Sequence, residues 1–240
     1  MKSPIPWIGG KSQLKSKIIK SFPPTESYNR FIDVFGGGGS ILFAKGKHAD
    51  LEIYNDVNFF RCLKYHSDEL KKEIKYYLNS REMFLDCRER ISVTGFTDIQ
   101  RAAMFYVLVK TGFGASLRTF GCNKKRLNTD NFADIEARLD GVVIENKDFE
   151  DLIKVYDREK ALFYCDPPYH KTERHYTVKF TEDDHERLCR VLHQIKGRFV
   201  LSYNDDKYVR DLYKDYNIQA VTRNNSLSSG DFKEVIITNF

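Results

Sequence analysis

The chain has 240 residues, 41% of them hydrophobic and 30% charged, with a net charge of +5. This composition is typical of a globular protein large enough for one α/β domain with an insertion. No apolar run reaches membrane-spanning length and the N-terminus lacks a signal-peptide core, so we expect a cytoplasmic protein without a membrane partner. Five scattered cysteines and six histidines lack ligand spacing, which argues against a disulfide framework and against a bound metal. The mildly basic charge suits a polyanionic partner.

Strands and helices alternate along most of the chain. The first part of the chain predicts a basic amphipathic helix over 11–22, then strands over 30–35 and 51–54 with a helix over 40–45 between them. Helical periodicity follows from 57 to 113, and a basic loop over 112–129. The last part predicts strands over 142–144, 162–165 and 199–203 with a helix over 182–195, and it ends with an antiparallel strand pair near 218–222 and 235–240. This order predicts a doubly wound, Rossmann-like α/β sheet formed by residues 1–56 and 141–240, with a mostly helical insertion at 57–140.

The tetrapeptide Asp166-Pro167-Pro168-Tyr169 directly follows the apolar run 161–165. Open α/β sheets bind ligands just past the carboxyl ends of their strands. The prolines stiffen the loop and favour extended geometry before them, so the Asp166 carboxylate and the Pro167 carbonyl offer acceptors in one direction. A planar amino group on an aromatic ring has two matching N–H donors, and Tyr169 offers a ring for stacking. Taken alone, the stretch is also compatible with a rigid turn whose aspartate caps a neighbouring element.

A run of four glycines, Gly36–Gly39, follows the strand that contains Asp33 and Phe35. Glycines at the first strand-to-helix turn let a ligand approach the backbone closely. The spacing is not G-x-G-x-x-G, which argues against a dinucleotide and its pyrophosphate. Asp33 suits an ammonium group, although a linker or a purely structural turn would also place glycines here.

An acidic residue, Asp56, lies about 20 residues past the glycine turn at the end of the next strand, where such a residue hydrogen-bonds ribose hydroxyls. Its alternative role is the N-cap of the following helix. A ligand with a ribose, a cationic group and no phosphate points to S-adenosyl-L-methionine. Trp7 and Lys11 around two glycines, and Asp148-Phe149 after a strand, also suit that ligand, with a helix entry and a helix cap as their structural alternatives.

The segment from Lys110 to Arg126 contains five basic residues, no acidic residue, and aromatic residues in or beside it. Such a segment suits phosphate contacts and a ring that stacks against bases, although a solvated basic face is the usual explanation. We predict double-stranded DNA as the partner and these DNA-binding residues: Lys110, Arg118, Asn123, Lys124, Lys125 and Arg126.

Together, the motifs resemble the Dam-type (D12 class) adenine-specific DNA methyltransferases over nearly the whole chain. Residues 7–11 are similar to the W-x-G-G-K element of that family, 35–39 to its F-x-G-x-G, 55–56 to its ribose-binding acid, and 166–169 to its catalytic motif. The family usually has an Asn-Gly and a following arginine where this chain has 113–118, and the resemblance implies that Arg118 corresponds to a DNA-contacting arginine. The cofactor-binding residues that the motifs and the resemblance imply are Trp7, Gly10, Lys11, Asp33, Phe35, Gly37, Gly39, Asp56, Asp148, Phe149 and Asp166; the catalytic ones are Asp166, Pro167, Pro168 and Tyr169.

We therefore predict methyl transfer from S-adenosyl-L-methionine to the exocyclic N6 of adenine in double-stranded DNA, after the base flips out of the stack. We expect a monomer, encoded by a bacterium or a phage, acting in restriction–modification or alone. The alternatives are methylation of another planar amine (cytosine, an RNA base or a protein amide) and a catalytically silent DNA-binding module.

Overall fold

Seven strands form a single mixed sheet in the order β3-β2-β1-β4-β5-β7-β6. The computed structural model describes residues 1–7, 9–56, 58–122, 127–171, 180–224 and 231–240. The strands are β1 Arg30–Asp33, β2 Leu51–Asn55, β3 Val142–Glu145, β4 Ala161–Cys165, β5 Arg198–Asn204, β6 Asn217–Asn224 and β7 Asp231–Thr238. The pairs among β1 to β5 are parallel, whereas β7 pairs antiparallel with both β5 and β6. The antiparallel pair predicted for the last two strands is confirmed.

The helices of the described chain are α1 Lys15–Lys20, α2 Ser40–Lys45, α3 Asn58–Tyr65, α4 Ser67–Ile74, α5 Arg81–Arg90, α6 Asp98–Thr111, α7 Phe132–Leu139, α8 Phe149–Tyr156, α9 Glu182–Gln194 and α10 Lys207–Leu212. Together with the strands they form a doubly wound α/β fold, with α3 to α7 inserted between β2 and β3. The predicted fold class is therefore confirmed.

The two faces of the sheet are covered by two hydrophobic clusters. One joins Phe31 and Tyr164 to helices α2, α3, α4, α6 and α7, and the other joins Phe163 and Leu201 to helices α8, α9 and α10. Because both faces are covered, β4 is buried at all five positions, as expected for a central parallel strand that is apolar throughout.

The inserted helices pack mostly on the sheet. Buried residues of α3, α4, α6 and α7 belong to the same cluster as one face of the sheet. An outer cluster, which includes Phe84, Cys87 and Met104, joins α5 to the far side of α6. Helix α7 is fixed to β2 by a buried ion pair, in which Arg138 Nη1 lies 2.7 Å from Glu52 Oε2. The division into domains at residues 57 and 140 stays a prediction.

Two elements differ from the expectation. The predicted helix over 11–22 is helical only from Lys15 to Lys20, because residues 12–14 form a turn. The Lys11 side chain, just before this turn, lies at the end of the sheet beside Asp166. The short helix α10, which Asp206 caps through a bond from Val209 N, was not predicted, because six residues carry too little periodicity. In the described parts of the chain, no helix is long and apolar enough to cross a membrane.

Candidate active site

The candidate site lies at the carboxyl ends of β1 and β4, where the strand order reverses. Strand β1 has β2 on one side and β4 on the other. The chain therefore continues from β1 towards β2 and β3 at one edge of the sheet, and from β4 towards β5 at the other edge. Crevices at such switch points are the usual ligand sites of open α/β sheets. Asp33 is the last residue of β1 and pairs with Tyr164 on β4. Tyr164 lies two residues before Asp166. The fold therefore brings the glycine turn and the tetrapeptide together.

Asp166 is held by two side chains that come from distant parts of the sequence. Lys11 Nζ lies 2.7 Å from its Oδ1, and the Ser202 hydroxyl on β5 donates to the same oxygen at 3.0 Å. Burial raises the pKa of the Asp166 carboxyl and the Glu234 charge adds to this, while Lys11 and Ser202 oppose the shift. A carboxylate fixed in this way is a strong hydrogen-bond acceptor at a defined place.

The Tyr169 ring is buried, with 5% of its surface exposed. Its hydroxyl donates to Glu234 Oε2 on β7, and the Arg223 guanidinium binds the other oxygen of Glu234. The ring of Phe232 is nearly parallel to that of Tyr169, at 6.4 Å between centroids. The last two strands therefore fix the orientation of the tyrosine. Pro167 is buried and Pro168 half-buried.

The glycine turn is packed against aromatic side chains. Gly37 and Gly39 have φ angles of 52° and 70°, in the left-handed region that favours glycine. A Cβ on Gly37 would lie 2.6 Å from Trp7 Nε1, and one on Gly39 would lie 2.4 Å from the Phe43 ring. Gly10 N donates to Trp7 O, which fixes the turn that carries Trp7. The lack of side chains thus lets Trp7 lie directly over the turn.

Asp33 is a buried carboxyl group with an unused oxygen. Its side chain is 1% exposed, and Oδ1 has no hydrogen-bond partner among the described residues. Burial, together with the charge of Asp166, raises the pKa of Asp33 well above its ordinary value. Such an oxygen fits a cationic ligand group, because an ammonium would both donate to it and stabilise its charge. The ammonium-binding role of Asp33 stays a prediction.

Asp56 directly follows β2 and lies next to Asn55, whose side chain connects the ends of three strands. The side chain of Asn55 donates to Val34 O and Lys147 O and accepts from Lys147 N, which ties the end of β2 to the loops after β1 and β3. Asp56 N donates to Glu145 O at 3.0 Å. Helix α3 begins at Asn58, two residues beyond Asp56. The backbone at Asp56 is thus held at the same edge of the sheet as Asp33.

Asp148 and Phe149 are held by an arginine of α9. Asp148 caps α8, where its Oδ1 accepts from Glu150 N at 2.9 Å, and Arg187 Nη2 donates to the same oxygen at 2.9 Å. The Arg187 Cζ lies 4.7 Å from the centroid of the Phe149 ring, which also contacts Phe35 at 5.6 Å between centroids. The helix-cap role foreseen as the alternative is therefore present. The described contacts all use Oδ1 of Asp148 and leave Oδ2 for another donor.

The predicted DNA-binding residues lie at the end of α6 and in the loop beyond it. Lys110 Nζ lies 5.3 Å from the centroid of the Tyr106 ring. Arg118 is exposed, and its backbone is held by bonds from its N to Ser116 Oγ and from Arg88 Nη1 to its O. Asn123, Lys124, Lys125 and Arg126 lie outside the described residues.

Three residues of the site were not singled out from the sequence: Ser202, Arg187 and Glu234. Glu234 had a signal, because a glutamate at the head of the apolar run 235–237 becomes buried if that run is a central strand. No sequence pattern indicated Ser202 or Arg187, since a serine in a strand and an arginine in a charged helix are ordinary. In the described ranges, no group of three histidine, cysteine, aspartate or glutamate side chains is placed to hold a metal ion.

Comparison with known proteins identifies the family. Residues 7–227 match the D12 class N6 adenine-specific DNA methyltransferases. This match covers most of the chain, which therefore belongs to that family. The resemblance inferred from the motifs and the prediction of adenine methylation in DNA are both confirmed.

Curated relatives agree in length as well as in sequence. The type II methyltransferase M1.LlaDCHI of Lactococcus lactis subsp. cremoris is 29% identical, over 98% of this chain and 94% of its own length. The type II methyltransferase M.CviBI of Paramecium bursaria Chlorella virus NC1A is 24% identical, over 90% and 88%. A DNA adenine methylase of Haemophilus influenzae is 24% identical, over 95% and 88%.

Proposed function

We propose that this chain transfers a methyl group from S-adenosyl-L-methionine to N6 of an adenine flipped out of double-stranded DNA. The observation that carries the proposal is the position of Asp166, held by Lys11 and Ser202 beside the unused oxygen of Asp33. An acceptor for the target amino group and an acceptor for a ligand ammonium thus lie at the ends of neighbouring strands. When bound, S-adenosyl-L-methionine supplies an activated methyl group on its sulfonium.

The binding roles follow the edge of the sheet. Asp33 accepts from the ligand ammonium and Asp56 from the ribose hydroxyls. Asp148 offers Oδ2 to the adenine amino group of the ligand, and Phe149 contributes to the apolar wall beside that ring. Trp7, stacked over the glycine turn, excludes water from the sheet end.

The catalytic roles belong to the tetrapeptide. The Asp166 carboxylate and the Pro167 carbonyl accept hydrogen bonds from the target amino group, which favours its pyramidal form and directs its lone pair. Tyr169 stacks on the flipped base. The amino nitrogen forms a bond to the methyl carbon as the carbon–sulfur bond of the sulfonium breaks, which leaves S-adenosyl-L-homocysteine, and the displaced N6 proton is lost to water. Positioning and electrostatics are sufficient for this reaction, because transfer between two bound groups needs no covalent enzyme intermediate.

In this proposal the segment 57–140 supplies the DNA contacts, and Arg118 and the basic residues at 124–126 bind the duplex. Because the relatives from L. lactis and the Chlorella virus are named type II methyltransferases, we propose that this chain is a type II modification enzyme. We further propose that it acts in the cytoplasm and as a monomer. Sedimentation analysis tests the oligomeric state, and mapping of modified adenines after expression in a methylation-free host tests the substrate and gives the target sequence.

The assignment of Asp166 is tested with the Asp166→Ala variant and labelled S-adenosyl-L-methionine. We expect a loss of about 100-fold or more in methyl transfer to DNA from the methylation-free host. Ligand binding by calorimetry should stay within a few-fold of wild type. Asp211→Ala, which removes an exposed carboxylate of α10, is the matched control and should retain full activity. Retention of more than a few per cent of activity by a folded Asp166→Ala protein would contradict the assignment.

A further inference from the structure

The ammonium of Lys11 occupies the place that the proposed function gives to the target amino group. Its Nζ lies 2.7 Å from Asp166 Oδ1 and 4.6 Å from the centroid of the Tyr169 ring, and the side chain is 4% exposed. An atom that contacts both groups lies between them. The flipped base needs the same two contacts, a donor on Asp166 and a ring on Tyr169.

Lysine and base cannot share this space. A donor nitrogen approaches a carboxylate oxygen to about 2.9 Å, and a stacked base lies about 3.5 Å from the tyrosine ring. An ammonium in contact with both groups blocks a base that would bind Oδ1 of Asp166 while stacked on the same side of the Tyr169 ring. The rings of Tyr203 and Phe232 also lie near the Tyr169 ring, at 5.8 and 6.4 Å between centroids. A base that takes this position therefore requires Nζ to move.

A second carboxylate lies next to Lys11. Glu234 Oε2 on β7 is 3.9 Å from Lys11 Nζ, and the side chain of Glu234 is 1% exposed. A shift of about 1 Å would bring Nζ to hydrogen-bond distance of Glu234 and away from Asp166. A buried ammonium without a carboxylate partner is energetically unfavourable. Because Glu234 lies next to Lys11, Nζ can leave Asp166 without losing a carboxylate partner. The charge stays paired in both positions.

We propose that Glu234 is a positioning residue that receives Lys11 when the target base enters, and so frees Asp166 for the amino group. The proposal rests on the function proposed above. Glu234 is suited to the role because it also accepts from the Tyr169 hydroxyl, so one carboxylate fixes the stacking ring and takes the lysine. Arg223 on the other oxygen of Glu234 holds it in place.

The test is a double-mutant cycle measured by single-turnover methyl transfer to a duplex that contains the mapped target site. Glu234→Gln keeps an acceptor for the Tyr169 hydroxyl but removes the charge that attracts Lys11. We expect its rate to fall about 10- to 100-fold, the range for losing a hydrogen bond to a charged group, with ligand affinity unchanged. In a Lys11→Met background, where no ammonium has to move, Glu234→Gln should cause no further loss.

Glu52→Gln is the matched control, because it also removes a buried carboxylate paired with an arginine, at a place away from the site. It should lower the unfolding temperature to a similar extent and leave the transfer rate unchanged. If Glu234→Gln does not fold, Glu234→Asp replaces it, since it keeps the charge but withdraws it by one methylene, and its loss should likewise vanish in the Lys11→Met background.

A wild-type rate for Glu234→Gln, or equal losses in both backgrounds, would overturn the inference while wild-type methylation of the duplex upholds the proposed function. Absence of methylation by the wild type would instead overturn the proposed function and the inference with it. The two failures are therefore distinguishable in one experiment.

Discussion

Asp33 and Asp166 stand at the ends of neighbouring parallel strands, and the charge of Asp166 contributes to the raised pKa of Asp33. Asp166 has Lys11 as a cationic partner, whereas Oδ1 of Asp33 has no partner among the described residues. The pair thus consists of one carboxylate already neutralised by the protein and one that fits a cation from outside. This asymmetry separates the catalytic acceptor from the ligand-binding one.

Asp33→Asn should weaken S-adenosyl-L-methionine binding about 10- to 100-fold, the range for a hydrogen bond to a charged group. Calorimetry at several pH values is the measurement. Wild-type affinity should rise with pH through the raised pKa of Asp33, because binding an ammonium requires the ionised carboxyl group, and the variant should lack this rise. Asp211→Asn, on the surface, is the control. Equal pH dependence in wild type and variant would remove Asp33 from the binding site.

The same variant should be more stable than wild type near neutral pH. The pKa of Asp33 is higher in the folded protein than in the unfolded chain. The protonated Asp33 carboxyl group therefore contributes its full stabilisation below the ordinary aspartate pKa, and this stabilisation is lost as pH rises through the raised pKa of the folded state. Asparagine does not ionise and keeps that contribution. Thermal unfolding without ligand should show a gain that grows with pH. An unchanged difference across pH would contradict this reasoning.

Ser202→Ala should shift the pH dependence of methyl transfer. The Ser202 hydroxyl lowers the pKa of Asp166, so its loss should raise that pKa and move the acid limb of the pH–rate profile to higher pH. We expect the stability to fall by about 1 kcal/mol, as for the loss of one buried hydrogen bond. Tyr164→Phe is the control, because Tyr164 bonds the serine hydroxyl but not Asp166. If both variants shift the acid limb equally, the effect does not pass through the serine–aspartate bond.

Arg187→Gln should weaken ligand binding by about threefold to tenfold through Asp148 and Phe149. The arginine holds the Asp148 carboxylate and covers the Phe149 ring, and its loss frees both. Arg190→Gln on the same helix α9 is the control, since Arg190 pairs only with exposed acids of its own helix among the described residues. Calorimetry with S-adenosyl-L-methionine separates the two. An equal effect of both changes would show a general loss of charge instead.

Arg118 and the cluster Lys124, Lys125 and Arg126 should differ in their effect on DNA binding. Removal of one cluster residue should weaken binding to every duplex and reduce the salt slope by about one unit. Arg118→Ala should cost roughly 1–3 kcal/mol at the target site and relax discrimination at one base position. Titrations of target and random duplexes at several salt concentrations measure both. Equal, salt-screened losses for both changes would make Arg118 another phosphate contact.

The sequence was sufficient to predict the strands that carry the site, because β1 and β4 are short apolar runs that end at glycines or prolines. The same runs placed Asp33 in β1 and Asp166 directly after β4, where the structure has them, while the roles of both residues stay predictions. The sequence did not predict that Lys11 binds Asp166, since a pair so far apart in sequence meets only through the sheet order. Nor did it predict Arg187 at Asp148, because local spacing carries no information on contacts between α8 and α9.

The position of β7 between β5 and β6 has a consequence for the order of events during biosynthesis. Glu234 and the neighbours of Ser202 on β7 leave the ribosome after every other strand of the sheet. Until then, Asp166 is the carboxylate partner that the described residues offer Lys11, and the Tyr169 hydroxyl has no acceptor on β7. A nascent chain that lacks β7 therefore carries the glycine turn and the tetrapeptide without the acceptor that holds the Tyr169 hydroxyl and without the second carboxylate beside Lys11.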